Sequence, residues 1–468
     1  MRAQAGVQAE QAVWRAGLLS RRCLLRVGGM GLLGLTLPRL LQARERSPRL
    51  PQRIKSVVFL FQFGGPTHLD TFDLKPQAPE QVRGQHRPIA TSVPGVSVCE
   101  HLPRLAKVMH LVTQVRTLHH RMKNHNPAAY TALTGHEPPV DDIRLRDTLE
   151  LYPAYGSVVD HLAPNTNAVP TFVAYPYVIR DGAITPGQHA SFLGKQHDPF
   201  LFTEDPNAPD FRLPELTLPQ GMSLARLEDR RRLQQLIARQ TRLLDQAAEA
   251  AGMDAYYRRA LEMLNSRRLR EAFDLGAEPE KLRRQYTRTT YGQCCLLARR
   301  LVEAGVKFVT VYFSRGIGGQ STTRGGWDTH GFNNTRMYPI IQKYHLPLTD
   351  RVLSTFLEDL HSRGLLDETL VVWMGEFGRT PRLNKNVSRD HWPYCYTALL
   401  AGGGLKAGYV HGASDRHGAF PDRDPVHVGD LAATLFYLLG IDPATEVYDV
   451  AQRPLAIAEG RPVLPLLG

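Results

Sequence analysis

Carboxylates and imidazoles recur in this chain just after short apolar runs, and that mixture of side chains is what a divalent metal needs. The first set lies in Gly64-Gly65-Pro66-Thr67-His68-Leu69-Asp70-Thr71-Phe72-Asp73, the second in Trp327-Asp328-Thr329-His330. The third is Gly375-Glu376-Phe377-Gly378-Arg379-Thr380-Pro381, followed closely by Arg389-Asp390-His391-Trp392. Borderline divalent ions are held by mixed oxygen and nitrogen ligands, so His68, Asp70, Asp73, Asp328, His330, Glu376, Asp390 and His391 are the candidate ligands. Arg379 and Arg389 are predicted to offset the charge of an anionic substrate. Each cluster alone has a plain structural use as a turn cap, an Asx turn or an ion pair. Four of them at four strand ends weigh toward function, because binding residues gather on such loops.

The elements that must position these loops follow from the pattern of apolar residues. Lys55–Phe63 is apolar after Ser56 except for Gln62, as expected of a strand buried on both faces, and it ends at Gly64-Gly65-Pro66. Val306–Phe313, Thr369–Met374 and Tyr396–Leu400 repeat that logic, with helical stretches at Tyr291–Ala304, Leu348–Arg363 and Val428–Leu439. Alternation of this kind predicts an α/β fold with a mostly parallel central sheet and helices on both faces. Ligands of such sheets bind beyond the carboxyl ends of the strands. Residues 170–219, rich in Pro, Asp and Phe, read as an irregular insertion over the site. Within 222–285, Leu224, Leu227, Leu233, Leu236, Ile237, Leu243 and Leu244 recur at helical spacing among charged residues, the mark of an amphipathic helical excursion.

Taken together, the strand-end motifs, with Leu133-Thr134-Gly135 and Asp390-His391-Trp392-Pro393, resemble the domain of unknown function 1501 family. That family comprises exported bacterial proteins placed in the alkaline phosphatase and sulfatase superfamily, and the resemblance runs from about Lys55 to the C-terminus. It implies an alkaline phosphatase-like core in which Glu376 stands where those enzymes carry an Asp ligand, Asp328 matches a second Asp, and His391 resembles the final ligand histidine. Phe377 departs from the usual histidine, and His330 lies closer to Asp328 than its counterpart would. Among the candidates the resemblance thus favours Asp328, His330, Glu376 and His391 as ligands, with His68 and Asp70 completing the shell. The resemblance also puts His125, in His125-Asn126-Pro127-Ala128-Ala129 ahead of Thr134-Gly135, at the nucleophile position. No Cys, Ser or Thr stands there, so formylglycine-type sulfatase chemistry is disfavoured. His125 is instead expected to bind metal, to act as a general base, or to accept a phosphoryl group, in that order.

The net charge of +12 invites a polyanion-binding reading until it is located. Residues 1–55 carry +9 of it, which leaves +3 for the remainder and argues against a nucleic-acid partner. Ser20-Arg21-Arg22-Cys23-Leu24-Leu25-Arg26, the apolar run Val27–Leu37 and Pro38 resemble a twin-arginine export signal, with Arg21 and Arg22 as the pair. Eleven apolar residues fall short of the roughly 20 that span a bilayer as a helix. The expected organisation is therefore a signal segment at 1–43, a linker at 44–54 and a single domain at 55–468. It implies passage through the twin-arginine translocation machinery to the periplasm or cell envelope, with no transmembrane span in the mature protein. Cys99, Cys294, Cys295 and Cys395 form no C-x-x-C pair and read as buried small residues, with one disulfide permitted.

The function expected from these features is hydrolysis of an anionic phosphate or sulfate ester, small or polymeric, by a water activated on zinc, manganese or calcium. The competing expectation is a catalytically inactive binding or structural component of an envelope complex, since a fold does not guarantee its relatives' reaction.

Overall fold

The apolar run ahead of Gly64 forms β1 (Ser56–Phe61), and all six of its residues are buried. Both faces are covered because the strand alternates between two cores. Val58 and Leu60 join one apolar cluster, whereas Val57, Phe59 and Phe61 join another. The protein is described by a computed structural model covering residues 50–213, 266–317, 325–331 and 336–468, in which Pro51–Gly468 make one compact unit.

The other strands of the main sheet are β2 (Val112–His119), β3 (Phe172–Tyr175), β4 (Phe200–Leu201), β5 (Phe308–Tyr312), β6 (Thr369–Met374), β9 (Tyr396–Gly402), β10 (Val410–His411) and β11 (Val426–His427); a separate hairpin pairs β7 (Gly378–Arg379) with β8 (His391–Trp392). Their order is β10-β2-β9-β6-β1-β5-β3-β4, with β11 also on β2. β1 pairs in parallel with β6 and β5, and β3 with β5 and β4, so the centre of the sheet is parallel as expected. β9 runs antiparallel between β6 and β2. An apolar run buried on both faces looks the same in either direction, which is why Tyr396–Leu400 gave no sign of the reversal.

Six helices matter for the layers: α1 (Pro103–Val108), α2 (His125–Thr134), α3 (Tyr155–Leu162), α4 (Thr290–Glu303), α5 (Leu346–Ser362) and α6 (Val428–Leu438). Residues of α1, α4 and α5 share the cluster of Val58 and Leu60, and residues of α2, α3 and α6 share that of Phe59 and Phe61. Helices thus cover both faces. Three of the helical stretches expected from periodicity are α4, α5 and α6, each shifted by two residues or fewer at either end.

Two expectations need correction or restriction. Residues 170–219 are not wholly irregular, since Phe172–Tyr175 and Phe200–Leu201 extend the main sheet beside β5. Leu224 to Leu244 of the helical excursion lie outside the described residues, as do the leader, Arg21, Arg22 and Cys23; from the far end of that stretch the structure describes helices Arg267–Phe273 and Glu280–Gln285. Cys99, Cys294, Cys295 and Cys395 are all buried and unbridged. Among the described residues, no helix is long and apolar enough to cross a membrane.

Candidate metal centre

α2 begins at His125 and is buried along its whole length, its first residue held where the β2–α2 connection returns to the sheet. Asp141 fixes that entry, accepting the backbone N–H of Asn124 at 3.0 Å and of Lys123 at 2.9 Å. Gly135 closes the helix in the left-handed conformation, φ 82°, which a side chain would strain. The loop after β1 and the loop after β6 meet in front of this helix. The N–H of Gly64 donates to Glu376 Oε1 at 2.8 Å and Oε2 at 3.1 Å.

Asp328 is the hub of the site. His391 Nε2 lies 3.1 Å from its Oδ1, His330 Nε2 3.1 Å and His125 Nε2 3.5 Å from its Oδ2, and Arg379 donates to Oδ1 at 2.9 Å. Ligand atoms of His125, Asp328 and His391 lie within 4.8 Å of one another. Burial alone would raise the Asp328 pKa, but the charge of Arg379, with His125, His330 and His391 close around the carboxylate, holds it far below the ordinary range. His330 and His391 are about a quarter exposed, so the centre opens to solvent on their side, while His125 and Glu376 form its buried wall.

The far nitrogens of two of these rings are also held. His125 Nδ1 bonds Glu376 Oε1 at 2.8 Å, and His391 Nδ1 bonds the carbonyl of Lys123 at 2.9 Å. A carboxylate or carbonyl behind an imidazole is the usual support of a metal-ligating histidine. The Lys123 carbonyl has no proton to give, so His391 Nδ1 carries the hydrogen. Burial, only partly offset by the bond to Asp328, lowers the His391 pKa to about 4, so at neutral pH its Nε2 presents a lone pair to the Asp328 carboxylate. Two acceptors facing each other at 3.1 Å are what a cation between them would satisfy. His125 sits between two carboxylates, and although burial opposes its charge, their hydrogen bonds raise its pKa to about 9. The residues fit a divalent ion held by His125, Asp328 and His391, with His330 beside them.

Three predicted site residues are placed elsewhere in role. Asp70 is wholly buried and bonds Arg389 Nε at 2.6 Å, the Tyr338 hydroxyl at 2.7 Å and the Thr67 hydroxyl at 2.7 Å, so it is no part of the cluster. Every N–H group of Arg389 is used internally, on Asp70 and on the carbonyls of Val82, Thr380 and Pro381, so it faces no substrate. His68 is buried against the carbonyl of Gly418 at 2.8 Å. Arg379 does reach the site, but as a brace. Buried itself, it donates to the carbonyls of Gly64, Gly65, Trp327 and Arg389 as well as to Asp328.

Sequence reasoning missed two supports. The Lys123 carbonyl could not be found from side-chain types at all. His120 donates Nε2–H to the backbone carbonyl of Glu376 at 2.5 Å while its Nδ1 accepts from Met122 N–H, which fixes its tautomer and locates Glu376. Its one sequence signal was its position five residues before His125. Gly64, at φ 107°, has a similar positioning role, since a Cβ there would overlap the backbone of Trp327 and Asp328. Gly64→Ala is expected to destabilise the protein by about 1–3 kcal/mol, read by denaturant titration.

The sequence profile of the family described as Protein of unknown function (DUF1501) matches residues 54–467. No curated protein matches the chain. Among solved structures, the PsFucS1 sulfatase from Pseudoalteromonas sp. is 10% identical, with TM-score 0.39 over 86% of this chain and 70% of that one. A putative sulfatase from Bacteroides thetaiotaomicron is 12% identical, with TM-score 0.38 over 89% and 74%. The phosphonate monoester hydrolase SpPMH from Silicibacter pomeroyi is 13% identical, with TM-score 0.35 over 88% and 76%.

Proposed function

The chain belongs to the family described as Protein of unknown function (DUF1501), and from the centre it carries we propose that it is an exported, metal-dependent hydrolase of anionic phosphate or sulfate esters. One observation carries the reading: three imidazole Nε2 atoms converge on Asp328, and two of those rings are held from behind by Glu376 and the Lys123 carbonyl. Two imidazoles and a carboxylate suit zinc or manganese better than calcium, which prefers oxygen ligands throughout. When bound, such an ion supplies positive charge to the ester oxygens and lowers the pKa of the attacking water.

The chain's own residues do the rest. His125, with Nδ1–H given to Glu376, directs Nε2 into the centre and would ligate there once an ion takes the place of its Nε2 proton. Arg379 keeps the Asp328 carboxylate ionised and aimed. Substrate charge falls to residues on the open side, His330 and the exposed Arg382. Arg382 lines a cleft of about 450 Å³ with Asn384, Asp390, Trp392 and Phe420, and Asn384 ties that cleft to the centre by donating to the His330 carbonyl at 2.8 Å. Export rests on the leader read from the sequence, with the twin-arginine machinery as the partner in transit.

The test is elemental analysis of the purified chain, expected to show bound zinc or manganese that is lost in His391→Ala. Metal near zero in both proteins overturns the proposal. A panel of phosphate and sulfate mono- and diesters should then be turned over with the retained metal, and Glu376→Gln should abolish that turnover. A second reading, a metal-binding component without catalysis, is favoured because, among the described residues, no Ser, Thr or Cys side chain shares the hydrogen bonds of His125, Asp328, Glu376 and His391. Metal retained without turnover of any ester would select it.

A further inference from the structure

Away from that centre, the last turn of α3 and the short 3-10 turn Lys195–His197 bring two histidines together. His161 Nδ1 and His197 Nε2 lie 3.1 Å apart, with the rings edge-to-face at 88° and 4.7 Å between centroids. Behind them, His197 Nδ1 lies 2.9 Å from Oδ2 of Asp160, whose side chain is buried. We propose that His161 and His197 form a second, surface site for a borderline divalent transition ion such as zinc, nickel or copper, with Asp160 as the group that orients His197.

The argument starts from the carboxylate. Asp160 accepts the Nδ1 hydrogen of His197, so His197 Nε2 holds a lone pair aimed at its neighbour. His161 fills that direction with its own Nδ1–H. Metal–nitrogen bonds of about 2.0–2.1 Å put two adjacent imidazole nitrogens roughly 2.9–3.4 Å apart, depending on the angle at the metal. The observed spacing falls inside that window, so an ion could bridge them without backbone movement. Its binding asks only that His161 release the proton at Nδ1 to solvent and take one up at Nε2, a change of tautomer with no net proton lost. His161 is exposed and His197 partly so, which leaves the remaining coordination positions to water. The site also caps the C-terminal end of α3, where the backbone carbonyls favour a cation. The neighbouring ammonium, Lys307, is engaged with the carbonyl of Ala163 at 2.8 Å.

The inference stands independently of the Asp328 centre, and its test is read in the full-length His391→Ala protein so that the two cannot be confused. Metal-free protein is titrated with nickel or copper, following heat and, for copper, the electron spin resonance signature of nitrogen ligation. The expected result is one equivalent that disappears in His391→Ala/His161→Gln. His391→Ala/Asp160→Asn should keep the equivalent with about 10–100-fold weaker affinity. Stoichiometry and affinity unchanged by His161→Gln overturn the proposal. His161 lies at the surface, so its replacement leaves the fold intact, which circular dichroism verifies.

Discussion

Asp328→Ala is expected to empty the centre of metal and to destabilise the protein by about 3–5 kcal/mol, the range for leaving one member of a buried ion pair without its partner. The size follows from what remains. Arg379 is 1% exposed and loses the one carboxylate it bonds among the described residues, while His125 loses one of the two groups that favour its charge. Three imidazoles are left converging on nothing. Asp328→Asn separates the two consequences. It preserves an oxygen for Arg379 and so costs less stability, yet removes the charge on which metal affinity depends. Elemental analysis and urea unfolding of both variants check the two quantities independently.

The second large effect is expected at Asp70, and it runs in the opposite sense for metal. Asp70→Ala should cost a similar amount, about 3–5 kcal/mol, because it strands the fully buried Arg389 guanidinium, but bound metal should be unchanged. This pair also contributes a pH dependence. Burial opposes the Asp70 charge, but Arg389 outweighs it and holds the folded pKa below the ordinary 3.8. Such a group stabilises fully above its unfolded pKa and loses that contribution as pH falls through the folded value. The wild-type protein should therefore lose stability below pH 3.8 with one proton's worth of extra slope, and Asp70→Ala should lack that component. Urea titrations between pH 2 and 5 would show the two slopes coinciding at the upper end and separating below pH 3.8, by at most about 1.4 kcal/mol per pH unit.

Asp70 also shows where reading the chain alone stops. Its residue type and place after β1 are those of a ligand, and what decides its role is Arg389, 319 positions away. Two buried charges that neutralise each other carry the same letters as two that hold a substrate and an ion. Asp328 and Glu376 were legible as candidates because each lies in a connection that follows an apolar strand, and His391 because it stands in a polar cluster just beyond Glu376. His125 was legible only through its resemblance to a nucleophile position, since a histidine opening an Ala-rich helix has no pattern of its own. β6 matched its apolar run residue for residue, since Thr369–Met374 is buried on both faces and bounded by polar residues and Gly375. The direction of β9 and the carbonyl of Lys123 left no trace in residue type. Pairing direction and backbone contacts are properties of the assembled sheet.

The place of β1 in that sheet sets a schedule for the newly made chain. Gly64 meets Glu376 across 312 positions, and β1 is flanked on one side by β5 and on the other by β6. At about 5–20 residues per second, a ribosome needs about 15–60 s to supply the missing partner after β1 has emerged. For most of that interval, until β5 is made, an almost wholly apolar strand with two unpaired edges is open to other chains, the condition under which aggregation competes with folding. The metal centre closes only at the end of the same wait. A cell making this protein must therefore shield its first strand for most of the time taken to synthesise it.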